Sequence, residues 1–172
     1  MSRFKSGLSK LTGLVLTSLL LSATAFADDR EDVQAVVDGV YAVISGPVGQ
    51  ARDFDAMREM FLPDALMGAV SPGETGQGTA NTFSLEGYIE RAGDFLVDNG
   101  FTERATRTEI TLYGELAYAK SAYEGINGGT GEIMVSGVNF FTLFKVEGEW
   151  KVASLLWRAA SEDWPPEAAF ED

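Results

Sequence analysis

Histidine and cysteine are both missing from the 172 residues, and basic residues are scarce, with 13 Lys+Arg against 26 Asp+Glu. Without cysteine the chain can form no disulfide, thiolate metal site, thiol nucleophile or iron–sulfur cluster. Without histidine it has no imidazole base, no Ser-His-Asp triad and no His-ligated metal or haem. A formal charge of −13 repels phosphate backbones and anionic bilayers, which sets nucleic acid and membrane surfaces aside as partners. The acidic pairs Asp28-Asp29 and Glu162-Asp163 lack the loop spacing of a cation site and read as solvated charge. Neither a metal nor a cofactor is therefore expected. The 45% of apolar residues is ordinary for a globular domain.

Residues 1–27 have the three parts of a secretory signal. Arg3, Lys5 and Lys10 form a basic start, residues 11–21 are mostly apolar, and Ala25-Phe26-Ala27 is a small-residue cleavage pattern. The apolar run is too short for a bilayer core, which needs about 20 helical residues. With no cysteine after it, a lipid anchor is excluded. Cleavage after Ala27 would export the chain to a periplasm or the exterior and leave it free of the membrane. It would also remove three positive charges and make the remainder more acidic.

Val33, Val36, Val37, Val40, Tyr41 and Ile44 recur at helical spacing and predict a first helix, stopped by Gly46-Pro47. Asp53 reads as the N-cap of a short second helix that Pro63 ends. Residues 66–70 suggest a short strand, and residues 71–83 a long loop of small and polar residues that could serve as a lid. Ser84 caps a third helix with Leu85, Tyr88, Ile89, Ala92, Phe95 and Leu96 on one face, and Gly100 closes it.

From Phe101 the period changes to two. Thr102, Arg104, Thr106 and Thr108 alternate with Glu103, Ala105, Arg107 and Glu109. Strands are expected over 116–126, 132–145 and 150–159, and Asn127-Gly128-Gly129-Thr130-Gly131 is a hairpin turn rather than a phosphate cradle, since no helix follows it. Helices followed by antiparallel strands make an α+β layout, with 28–160 as one domain and 161–172 as an acidic tail. Both faces of the last two strands are largely apolar. The outer face is therefore expected to meet a partner subunit or the tail, where Trp164 and Phe170 read as anchors.

The stretch Asp53-Phe54-Asp55-Ala56-Met57-Arg58-Glu59-Met60-Phe61-Leu62-Pro63-Asp64-Ala65, the final-strand Trp150-Lys151-Val152, and the order of elements resemble the nuclear transport factor 2-like superfamily, most closely its bacterial SnoaL-like members. The resemblance implies a cystatin-like cone: three N-terminal helices packed in a curved mixed or antiparallel sheet, with a pocket at the open end and dimers through the sheet's outer face. That fold hosts isomerases, dehydratases, hydrolases, cyclases and binding domains. Ketosteroid isomerases of this kind use a tyrosine on the first helix as oxyanion donor, and Tyr41 matches it. Their base position falls on Ala69, and their second donor falls near Thr142, where there is no Asp. The fungal dehydratases of the fold need a histidine, and the Asp-Arg-Asp trio of its epoxide hydrolases has no match.

Candidate ligand-binding residues are Tyr41, Tyr88, Tyr123, Asn139 and Phe141. Tyr41 is either a cavity donor or a core residue. Asn139, an amide among apolar neighbours, needs a backbone or ligand partner. Glu103, Arg104, Arg107 and Glu109 read as a solvated ion network, or else Glu103 or Arg104 reaches the pocket as a base or carboxylate binder. Three readings follow: an exported protein binding a small, largely apolar molecule; an isomerase, cyclase or dehydratase; and a homodimeric assembly module whose cone is filled by its own side chains.

Overall fold

The computed structural model describes residues 12–71 and 78–171. The basic start of the leader, Arg3, Lys5 and Lys10, lies outside the described residues, as does the 72–77 part of the expected loop. Helix α1 (Thr12–Ile44) carries Val33, Val37, Val40, Tyr41 and Ile44 into the core, which is the face the spacing predicts. The helix runs further back than expected, through residues 12–27. Leu and Ala are strong helix formers, and nothing in that segment breaks the turn. No described helix is long and apolar enough to cross a membrane.

Helix α2 (Phe54–Met60) is capped by Asp53, whose Oδ1 accepts from the Ala56 amide at 3.0 Å. Strand β1 (Phe61–Ser71) follows at once, longer than the short strand expected. Pro63 does not end the helix; it sits inside β1, where pairing with the neighbouring strand is interrupted between Phe61 and Leu66. A residue with no N–H to donate is tolerated in such a gap. Strand β2 (Thr79–Ser84) then pairs antiparallel with β1, so the expected loop is in part a strand. Helix α3 (Leu85–Asn99) starts from Ser84, whose Oγ accepts from the Gly87 amide at 3.2 Å, and ends at Gly100 with φ +65°. That left-handed φ suits glycine.

Four antiparallel strands complete the sheet: β3 (Phe101–Tyr113), β4 (Leu116–Asn127), β5 (Ile133–Val146) and β6 (Glu149–Ala159). The six-stranded order is β2-β1-β6-β5-β4-β3, with β1 and β6 parallel and all other pairs antiparallel. The sheet is mixed, and its inner face packs on α1.

A bulge between Ala105 and Arg107 overturns the strict alternation read for β3. Glu103 and Ala105 face inward before it, paired with Gly125 and Tyr123. After the extra residue, Thr108, Ile110 and Leu112 take the inward side, paired with Ser121, Ala119 and Ala117. The bulge thus sends Arg107 and Glu109 outward and leaves Glu103 inside. On the outer face, the tail forms a 3-10 turn (Pro166–Phe170) that buries Phe170 against Ala122 and Val138. The Lys120 ammonium donates to the Ala169 carbonyl at 2.5 Å, and the Lys120 and Arg107 cations sit 4.5 and 4.4 Å from the Phe170 ring centroid. Trp164, expected as a second anchor, is 62% exposed.

Candidate functional site

The inner face holds a cavity of about 330 Å³ where α1 ends. Val40, Tyr41 and Ile44 from the last turn of α1, Tyr88, Phe95 and Leu96 from α3, and Met67 and Ala69 from β1 form one side. Phe101, Glu103, Tyr123, Val135, Asn139, Leu155 and Trp157 from β3–β6 form the other. Its size is at the lower end of ligand pockets, about 300–1,000 Å³. Two glycines shape this wall. A Cβ on Gly137 would lie 2.3 Å from the Arg158 carbonyl and 2.8 Å from the Tyr123 hydroxyl, and one on Gly125 would lie 2.8 Å from the Phe101 ring. Both aromatic side chains therefore sit where only bare backbone leaves room.

A chain of polar side chains crosses the apolar lining. The Asn139 amide nitrogen donates to Glu103 Oε1 at 3.0 Å and to the Tyr41 hydroxyl at 3.1 Å. Tyr41 in turn donates to Ser121 Oγ at 2.8 Å, and Ser121 meets Thr108 Oγ1 at 3.0 Å. The orientation of Asn139 follows from the chemistry, because a carboxylate needs a donor. The Tyr41 proton is thereby committed to Ser121 and points away from the cavity.

Burial in this apolar setting pushes the Glu103 carboxyl up to about 7, against the lowering effect of its bond from Asn139. Burial also raises Tyr41, to about 12, and pushes Tyr88 and Tyr123 up. The tyrosines stay neutral near pH 7, while Glu103 can exchange a proton there. No Lys or Arg is among the described lining residues, and they include no cluster of three or more residues fit to hold a metal ion.

Of the expected site residues, Tyr41, Tyr88, Tyr123 and Asn139 come together on the cavity wall. Phe141 does not line it: fully buried, it packs edge-on to the Tyr41 ring at 6.2 Å and supports the wall from within the core. The four-charge network divides. Glu103 lines the cavity, whereas Arg104 pairs with Glu124 at 2.7 Å, and Glu109 pairs with Arg107 and Lys120, all outside it. Ala69, the position the sequence resemblance assigns to the base of a ketosteroid isomerase, lines the cavity with a methyl group. Thr142 pairs with Tyr118 and Ser154, on the outer face.

The residue that sequence reasoning missed is Arg52. Buried in the seam between α1 and α3, it donates to the carbonyls of Ile44 (2.9 Å), Gly46 (2.8 Å), Leu96 (2.6 Å) and Gln50 (2.5 Å). It satisfies orphan carbonyls at two helix C-termini and so fixes two walls of the cavity. Nothing in its sequence neighbourhood marks it, because its partners are backbone groups brought from afar.

No protein-family model matches the chain, and no curated protein does. Solved structures do resemble it. A nuclear transport factor 2-like protein with a cystatin-like fold from Novosphingobium aromaticivorans has a TM-score of 0.65 at 15% identity, covering 96% of this chain and 100% of its own. A protein of unknown function from Mycobacterium tuberculosis, solved as a variant, has a TM-score of 0.66 at 16% identity, over 84% of this chain and 79% of its own. A candidate dehydratase of the nuclear transport factor 2-like family from Streptomyces avermitilis has a TM-score of 0.60 at 15% identity, over 78% of this chain and 98% of its own. At such identities the likeness is one of fold.

Proposed function

We propose that this chain, which has the nuclear transport factor 2-like, cystatin-like cone fold, is an exported protein that binds a small, largely apolar molecule in the open end of the cone. The observation that carries this reading is the cavity of about 330 Å³, largely apolar, with Glu103, Asn139, Ser71 and the tyrosine hydroxyls as its polar groups. It favours binding over a cone filled by its own side chains. Native mass spectrometry of protein purified from its own host tests it. A retained small-molecule mass is expected, and Ala69→Phe, which fills the cavity, should abolish it. A bare protein mass from both would refute the reading.

Export rests on the leader sequence. A chain beginning at Asp28 keeps the anchors made by Asp29, which accepts from Lys145 at 2.5 Å and from the Trp150 indole at 3.2 Å. A secreted chain beginning at Asp28 is the expected product. Homodimerisation through the outer face is the second part of the proposal. Leu116, Tyr118, Phe144 and Leu156 lie exposed there.

Glu103 supports a second reading, an acid–base enzyme. A carboxyl that titrates near 7 at the wall of an apolar cavity is suited to abstract a proton from a bound carbon acid. It would do so from β3, not from the Ala69 position, and with the Tyr41 proton already committed. Proton exchange of a bound ketone that survives in wild type and disappears in Glu103→Gln would favour this reading.

A further inference from the structure

Two acceptors are left free on the cavity wall, beside the Tyr88 and Tyr123 hydroxyls, which also have no partner among the described residues. Glu103 uses Oε1 to accept from Asn139, and neither its Oε2 nor Asn139 Oδ1 has a partner among the described residues. Aromatic rings stand around them: Tyr88, Tyr123, Trp157 and Phe101. Tyr88 and Trp157 are already set edge to face at 6.3 Å. Among the described lining residues no Lys or Arg answers the carboxylate.

Each class of ligand can be weighed against that wall. An anion would meet Glu103 without a compensating charge. A neutral hydrocarbon would leave two acceptors unpaired in an apolar space. An organic ammonium supplies both the counter-charge and the N–H donors, and the ring faces attract it through their quadrupoles. The formal charge of −13 draws a cation toward the protein from a distance. We infer that the cavity receives a small protonated organic amine, with its ammonium against Glu103 Oε2 and Asn139 Oδ1 and its apolar body between α3 and Trp157. This rests on the pocket reading above and names its ligand class. It also accounts for a carboxyl retained in an apolar cavity: burial alone holds the Glu103 proton more tightly than usual, and an ammonium partner restores the charged form.

Calorimetric titration with three probes of one skeleton tests it: phenethylamine, phenethyl alcohol and phenylpropionate, on the full protein at about pH 8, where Glu103 is largely ionised. The amine should bind at least about tenfold tighter than the alcohol, and the carboxylate more weakly than either. Glu103→Gln should bring the amine down to the affinity of the alcohol. The wild-type comparison needs no variant, so the test survives a variant that fails to fold. Equal binding of amine and alcohol, or a preference for the carboxylate, overturns the amine inference and leaves the pocket reading standing. No binding by any of the three, repeated with the naphthyl skeleton, overturns both.

Discussion

At one end of the cone, Ala117 and Ala119 of β4, Leu143 of β5 and Val152 of β6 are fully buried in one cluster with Val33 and Val37 of α1. At the other end, Tyr123, Val135, Asn139 and Ala159 of those same three strands border open space. The strands are continuous, and what changes is the helix. Only the last turn of α1, Val40, Tyr41 and Ile44, reaches the cavity before Gly46-Pro47 turns the chain away. The hollow therefore begins where α1 runs out. The filled end sets stability, and the hollow end is free to carry a polar group, Glu103, that a packed core would not tolerate.

The comparison can be broken most sharply by truncating one phenylalanine at each end. Phe141→Ala removes a fully buried ring and should cost about 3–5 kcal/mol in denaturant unfolding. Phe95→Ala, on a cavity-lining residue that is 44% exposed, should cost less than about 1 kcal/mol. Similar costs at both ends would remove the distinction. Next in size is Arg52→Met, which strips four carbonyls of their donor at the seam between α1 and α3. A loss of about 2–4 kcal/mol is expected, with loss of ligand binding as the two walls drift apart.

Glu103→Gln sharpens the electrostatic side. The folded carboxyl titrates at about 7, above its ordinary 4.5, so the folded state holds this proton more tightly than the unfolded chain. With respect to Glu103, stability is fullest below the unfolded value. It falls as pH rises toward the folded one, by up to about 3 kcal/mol by pH 8. Without ligand, Glu103→Gln should therefore be more stable than wild type at pH 8 and lose this part of the pH slope in thermal melts at stepped pH. A variant less stable than wild type at pH 8 would show that the carboxylate is not penalised by burial. The smallest effect on the fold is expected outside the cone. Leu156→Arg, on the exposed apolar face, should change subunit stability by less than about 0.5 kcal/mol while converting a dimer to a monomer in light scattering. A monomeric wild type would end the dimer proposal.

Much of this architecture was legible in the residues, and the exceptions share a cause. The face of α1, the caps Asp53, Ser84 and Gly100, and the strands from Phe101 onward follow from local periodicity and turn chemistry. In the sequence, strand β2 is indistinguishable from loop because Thr79, Asn81 and Thr82 present no apolar face. It is a strand because β1 offers it a paired backbone edge, which no local pattern records. The bulge in β3 was also invisible: Glu103 and Glu109 look equivalent at a spacing of two, and only an extra residue between them sends one inward and the other to Lys120. At the site, Tyr41, Tyr88, Tyr123 and Asn139 were found as polar-tipped residues on apolar faces. Phe141 lies deeper than the cavity wall, because alternation gives the inward side but not the depth. Arg52 could not be found at all, because its carbonyl partners carry no residue identity.

The most direct test of the central claim, that the end of the cone beyond α1 is hollow and built for a ligand, is a high-resolution crystal structure of the protein purified from its own host. The account predicts electron density for a small molecule in contact with Glu103 and bordered by Tyr88 and Trp157. Collapse of Trp157, Phe95 and Tyr88 onto one another, leaving no space beside Glu103, would contradict it.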